Sequence, residues 1–233
     1  MRQVFLDTET TGFEFKDGHR IIEFGAVEMI NRKLTGNDLH MYFKPDKSVD
    51  EGAFKVHGLS NDFLSDKPLF ETQLDTIMEY LQGAEVIIHN AAFDIPFLNY
   101  EINRIRNNQW GDINQHISVV DSLLMAREIH PGQRNSLDAL CKRYGINNKH
   151  RVFHGALLDS QILADVYLAM TGGQISLELD HLNDTTINLN TDDDLGINSK
   201  KDLPIILASQ LSLENHQDYL KIIEEKSGKK IMW

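Results

Sequence analysis

The sequence predicts an α/β fold, and three observations carry that prediction. Gln3-Val4-Phe5-Leu6 is a short apolar run with the β-branched and aromatic bias of a buried strand, and it ends in Asp7 and Glu9. Ile21–Ile30 and Leu34–Phe43 read as two further strands joined through Asn31-Arg32-Lys33 as a hairpin. Two more strand-like runs, Val86-Ile87-Ile88 and Ile117-Ser118-Val119-Val120, are each followed at once by a helical pattern.

The first strand sets the chemistry. In open α/β sheets, ligands sit at the carboxyl edge of the strands. Asp7 and Glu9 are one residue apart, so they share a strand face if the strand continues, and both reach one ion. Thr10, Thr11 and Gly12 then supply a turn, with hydroxyls and close backbone approach beside the carboxylates. Hard oxygen donors suit Mg²⁺ or Mn²⁺. Taken alone, an Asp-x-Glu fits an acidic surface loop equally well.

Further along, residues 46–65 read as a loop with short helical pieces that contains Val56-His57-Gly58-Leu59-Ser60. Phe70, Leu74, Ile77, Met78 and Leu81 recur at helical spacing behind Pro68. The strand at Val86 runs into His89-Asn90-Ala91-Ala92-Phe93-Asp94, where a helix carrying Phe97, Leu98, Ile102 and Ile105 begins. Asp121 is placed to cap the helix of Leu123 to Arg127. Ser136 opens a helix through Leu137, Leu140 and Tyr144, and Gly145 ends it. Residues 156–170 form the longest amphipathic helix, apolar at Leu158, Ile162, Leu163, Val166 and Met170.

Gly172-Gly173 closes a domain of residues 1–173. Residues 174–202 shift to Asp, Asn and Thr with few aromatics, the composition of a flexible linker. A short strand is expected near Leu203-Pro204-Ile205-Ile206-Leu207 and a helix around residues 213–225. This tail, 203–233, is too small to build its own core, and its apolar residues ending on Trp233 suit docking onto another protein.

Composition excludes several classes. A chain of 233 residues holds one sizeable core with an appendage. Its single cysteine, Cys141, rules out an internal disulfide and falls in an apolar helical pattern. No signal-peptide pattern and no membrane-spanning stretch is found, so the cytoplasm is the expected location. The net charge of −12 argues against gripping long duplex DNA by electrostatics, yet it is compatible with holding a strand end through metal ions. No Gly-x-Ser-x-Gly, phosphate-cradling Gly-rich loop with Lys, His-Glu-x-x-His or cysteine pair occurs.

The acidic residues fall into three stations: Asp7 with Glu9, then Asp94 at a helix start, then Asp159 early in the long helix. Phosphodiester hydrolysis needs a deprotonated water and charge stabilisation on both the attacking and the leaving oxygen. Two metals roughly 4 Å apart provide both, and four carboxylates suffice to hold them. His154, five positions before Asp159, is suited to take the proton from the attacking water. A lone histidine before a helix is more often a cap or a solvated side chain.

The order Asp7-Thr-Glu-Thr-Thr-Gly12, His89-Asn-Ala-Ala-Phe-Asp94 and His154-Gly-Ala-Leu-Leu-Asp159 resembles the DEDD superfamily of 3′–5′ exonucleases, in the variant whose general base is histidine. The resemblance spans roughly residues 2–173. It implies a ribonuclease H-like mixed sheet of about five strands flanked by helices, with Asp7, Glu9, Asp94 and Asp159 binding two Mg²⁺ or Mn²⁺ ions and His154 acting as base. Within the superfamily, Val56-His57-Gly58, the segment Met170-Thr-Gly-Gly-Gln174 and the tail from Leu203 to Trp233 are similar to the proofreading epsilon subunits of bacterial DNA polymerase III.

That likeness implies that Asp7, Glu9, Thr10, Thr11, His57, Phe93 and Asp159 contact the 3′-terminal nucleotide. It also implies that the tail binds the polymerase (alpha) subunit and that Gln174-Ile-Ser-Leu-Glu-Leu179 binds the sliding clamp. Asn90 is expected to shape its loop, and His89 and Asp121 to support or cap. Gly52 stands where some relatives carry a substrate-contacting glutamate, with Glu51 adjacent.

Two other readings remain. An oligoribonuclease-like 3′–5′ exoribonuclease has the same catalytic residues but needs no polymerase tether. A non-catalytic scaffold bridging polymerase and clamp needs none of the five chemical residues.

Overall fold

The structure, a computed structural model, describes residues 1–148, 153–172, 220 and 221. Its centre is β1 (Arg2–Thr10), which β2 (Ile21–Ile30) flanks on one side in antiparallel register and β5 (Glu85–Ile88) on the other in parallel. Beyond β5 lies β6 (Ser118–Asp121), again parallel. The short β1–β2 connection allows antiparallel pairing, whereas β5 and β6 are reached through helices and so run parallel. The result is the mixed sheet that the resemblance implies.

The second hairpin arm differs from expectation. Instead of one strand over residues 34–43, β3 (Lys33–Leu34) and β4 (Leu39–Tyr42) pair separately with β2. Gly36, at φ +77°, turns the chain out between them beside Asn37 and Asp38. The sheet therefore has six strands, two of them fragments of one arm. The β2–β3 turn itself is left-handed at both Asn31 and Arg32 (φ 52° and 63°), the geometry that matches strand twist in a two-residue hairpin.

The period-two alternation of the central strands feeds two cores. Val4, Leu6, Phe24, Ala26, Val86 and Ile88 pack on α3 (Leu74–Leu81) and α4 (Ala91–Arg104). Phe5, Val27, Met29 and Ile87 face α5 (Ser122–Ile129), α6 (Leu137–Tyr144) and α7 (Ala156–Thr171). Cys141 is buried in the second core, as its apolar pattern predicts. The expected caps are in place. Ser136 Oγ accepts from Ala139 N–H, Asp121 accepts from Leu123 and Leu124 N–H, and Gly145 ends α6 at φ 69°. The loop before α3 contains α1 (Glu51–His57) and α2 (Asn61–Leu64).

Gly25 decides where α7 starts. A Cβ there would stand 2.1 Å from Leu157 N and 2.2 Å from the Ala156 carbonyl carbon. The missing side chain lets the first turn of α7 lie directly on β2, with Ser160 Oγ 2.9 Å from Gly25 O and 2.8 Å from Ala156 O. That contact brings the beginning of α7 to the same sheet edge at which β1, β5 and β6 end.

Among the described residues, no helix is long and apolar enough to cross a membrane. By its internal contacts the chain divides into Met1–Leu177 and Glu178–Trp233. The expected linker, the peptide at 174–179 and the tail lie outside the described residues, save that Leu220 and Lys221 are helical.

Candidate active site

At the carboxyl edge of the sheet, Asp7, Thr8, Glu9, His89, Asn90, Phe93, Asp94, His154 and Asp159 line one cleft, to which Ser136, Leu137 and Asp138 add a further wall. All four predicted metal-binding carboxylates and the predicted base are therefore together. Asp7 and Glu9 register with Gly25 and Glu23 of β2, which puts them on the α7 side of the sheet. Asp159 reaches them from the first turn of α7, buried to 3 % exposure. One donor atom from each of Glu9, His154 and Asp159 lies within 4.8 Å of the other two, a spacing that one cation can span. His154 Nδ1 is 3.3 Å from Asp159 Oδ2.

Asp94 arrives from the opposite face. It sits in the first turn of α4, is 3 % exposed, and accepts a 2.7 Å hydrogen bond from Thr8 Oγ1. Thr8 lies between Asp7 and Glu9 in sequence, and strand alternation turns it towards α4, where it holds the Asp94 carboxylate from the other side. Asp121 secures the approach. Its carboxylate accepts from Ala91 N–H (3.1 Å) and Asn90 N–H (3.3 Å) as well as capping α5. Asn90 occupies the left-handed region at φ 74° and makes the sharp turn from β5 into α4.

Burial pushes the Asp94 carboxyl up to about 7, against the pull of the Thr8 hydroxyl, and the nearby Asp121 charge adds to the rise. A carboxyl driven towards neutrality by desolvation is one that a cation would restore to its charged form. The all-oxygen donors with one imidazole fit a hard divalent ion better than a soft one.

The residues expected around the terminal nucleotide are placed unevenly. Phe93 lines the cleft, packed on Phe97 at 5.0 Å between ring centres. The hydroxyls of Thr10 and Thr11 are used inside the loop, on Gly12 O (2.7 Å) and His19 Nδ1 (3.0 Å), and Thr11 is fully buried. His57 is buried beside the Thr10 backbone, with Nδ1 accepting from Leu59 N–H at 3.0 Å. Burial lowers its pKa, and the nearby His154 lowers it further. A hydrogen bond to the Thr10 backbone opposes that fall. His89 donates or accepts at Ser122 Oγ, 3.0 Å away, and burial lowers its pKa too.

Sequence reasoning missed Thr8 and the wall at Ser136–Asp138. Ser136 was legible as a cap, but nothing in its spacing tells which edge of the sheet that helix meets.

The sequence profile of the RNase T exonuclease family matches residues 4–167. The DNA polymerase III epsilon subunit of Escherichia coli K12 is 47 % identical, over 97 % of this chain and 95 % of its own length. That of Haemophilus influenzae is 44 % identical, over 100 % of this chain and 94 % of its own. Among solved structures, exonuclease X in complex with 5′-overhanging duplex DNA superimposes with a TM-score of 0.55 at 25 % identity, covering 74 % of this chain and 92 % of that one. The mixed sheet, the clustered carboxylates and a likeness running nearly end to end agree: the chain belongs to the exonuclease family and, within it, to the DNA polymerase III epsilon subunits.

Proposed function

We propose that this chain is the proofreading 3′–5′ exodeoxyribonuclease of a replicative polymerase, hydrolysing the 3′-terminal phosphodiester of DNA and releasing nucleoside 5′-monophosphates. The observation that carries this reading is the meeting of Asp7, Glu9, Asp94, Asp159 and His154 in one cleft at the carboxyl edge of the sheet. Two divalent cations, Mg²⁺ or Mn²⁺, held by the four carboxylates, would supply charge stabilisation on the attacking and leaving oxygens. His154 accepts the proton of the attacking water. Nδ1 lies 3.3 Å from Asp159 Oδ2, so in the tautomer with the proton on Nδ1 the other ring nitrogen, Nε2, is the one that accepts.

Phe93 packs against the terminal nucleotide, and Thr10, Thr11 and His57 shape the wall beneath it. None of these groups reads a base edge, so cleavage is independent of sequence. Frayed mismatched ends enter more readily because they cost less to unpair. Residues 203–233 tether the enzyme to the polymerase (alpha) subunit, and 174–179 bind the sliding clamp. The support is that similarity to epsilon subunits continues over 97 % of the chain.

The test is digestion of a 5′-labelled primer, matched or mismatched at its 3′ end, with Mg²⁺ or EDTA and with an RNA oligomer alongside. Metal-dependent shortening, fastest on mismatched DNA and lost in Asp7→Ala, is the expected result. Preference for short RNA would favour an oligoribonuclease, and no cleavage at all a scaffold.

A further inference from the structure

Beside the cleft lies an apolar surface that the reaction as described does not use. Phe153 immediately precedes His154 and is 54 % exposed, and Phe54 and Val56 of α1 are 43 % and 38 % exposed. The two segments are stitched together: His154 N–H donates to Val56 O at 3.0 Å, and a Cβ on Gly58 would stand 3.2 Å from the Phe153 ring. Gly58 is the left-handed C-cap of α1, so the Phe153 ring is seated over the C-terminal end of the helix that carries Phe54. Exposing two phenylalanines has a cost in solubility, and such patches mark binding sites.

We propose that Phe153 is a stacking platform for the base next to the 3′-terminal nucleotide of an unpaired DNA strand. This inference rests on the exonuclease reading above. Continuity with the cleft is the first argument. His154 lines the cleft and Phe153 is its exposed neighbour in the chain, so a strand leaving the cleft on the His154 side meets this ring.

Charge is the second argument. A strand is usually held through its phosphates by Lys and Arg. This chain carries a net charge of −12, and the one lysine of α1, Lys55, is already paired with Glu51 at 2.6 Å. An aromatic ring adds a grip that does not depend on charge, because it binds base faces without sequence preference. A base in a duplex is already stacked on both sides, so the platform favours frayed ends over paired ones.

The experiment compares the full-length wild type with Phe153→Ala and Phe153→Trp under Mg²⁺. The substrates are an unpaired deoxyoligonucleotide and an aryl ester of thymidine 5′-monophosphate, which has no second base. Loss of one base–aromatic stack should raise KM for the oligonucleotide roughly tenfold in Phe153→Ala, with Phe153→Trp restoring it. The increase should be absent with the ester. An unaltered oligonucleotide KM in Phe153→Ala would overturn the platform, as would an equal loss on both substrates, which would mean that His154 had been displaced. A wild type that shortens no oligonucleotide would instead overturn the exonuclease reading itself.

Discussion

The two sides of the cleft are built to opposite specifications. On the α4 side, Asp94 is buried, bonded to Thr8, and approached through a turn whose N–H groups are gathered by Asp121. On the α7 side, the His154 side chain is 44 % exposed and is joined to α1 by a backbone bond to Val56. A metal-holding carboxylate needs fixed geometry and low dielectric. A base that must return its proton to water on every turnover needs access. With Asp94 holding a cation and His154 acting as base, as proposed, rigidity and exposure are divided between the two groups according to their tasks.

The sharpest way to break that comparison is Asp94→Asn. Losing one carboxylate of the cation site should cost several kcal/mol of transition-state stabilisation, roughly 10⁴-fold in rate. Stability should move the other way. The Asp94 pKa rises from 3.8 unfolded to about 7 folded, so the contribution of its neutral form is complete below about 4 and is lost as pH climbs through about 7. In EDTA the wild type should therefore melt lower at pH 8 than at pH 5.5 through this group. Asp94→Asn should be more stable than wild type at pH 8, by about 2–4 kcal/mol. Calorimetry on both proteins at both pH values decides it, and an asparagine variant that is less stable at pH 8 would falsify the burial argument.

His154→Gln probes the other side. We expect a rate loss of roughly a thousandfold, with melting temperature and Mn²⁺ affinity close to wild type, because an exposed base contributes little to packing. Titration calorimetry with Mn²⁺ checks this. A large drop in affinity would make His154 chiefly a metal ligand.

The contrast also explains what could be read from the chain. Periodicity placed Asp7, Glu9, Asp94, His154 and Asp159 at strand ends and helix starts, and the order of their three motifs, through the resemblance to the DEDD exonucleases, singled them out as site residues. Thr8 and the Ser136–Asp138 wall were not legible, since their roles depend on which elements meet across the sheet edge. The broken second arm of the hairpin was hidden for a similar reason: Gly36-Asn37-Asp38 is a turn signal inside an otherwise strand-like run, and only pairing to β2 shows that both halves remain strands. The inward use of the Thr10 and Thr11 hydroxyls could not be seen either, because a hydroxyl in a turn serves the backbone as readily as a ligand.

Gly25→Ala tests whether α7 needs its close seat on β2 to aim both His154 and Asp159. The added methyl meets backbone 2.1 Å away, which no side-chain rotation relieves. Overpacking of this kind should cost about 3 kcal/mol in denaturant unfolding. A shift of α7 by a few tenths of an ångström or more should lower the rate by about tenfold to a hundredfold. Full activity with reduced stability would mean that the carboxylates tolerate more movement than the division of tasks allows.

The smallest expected effect concerns the wall at Ser136, a helix cap that also borders the cleft. Its hydroxyl caps α6 through a long bond of 3.4 Å to Ala139 N–H, yet it also lines the cleft. If capping is its whole task, Ser136→Ala should cost about 0.5–1 kcal/mol in stability and leave KM and kcat within twofold of wild type. Ser136→Asp restores a good cap but adds a negative charge facing the path of a phosphodiester. It should therefore recover stability while raising KM, most clearly at low salt. The two substitutions part the roles: a Ser136→Ala variant with a much weaker KM and unchanged unfolding would move this wall from supporting the cleft to touching the strand.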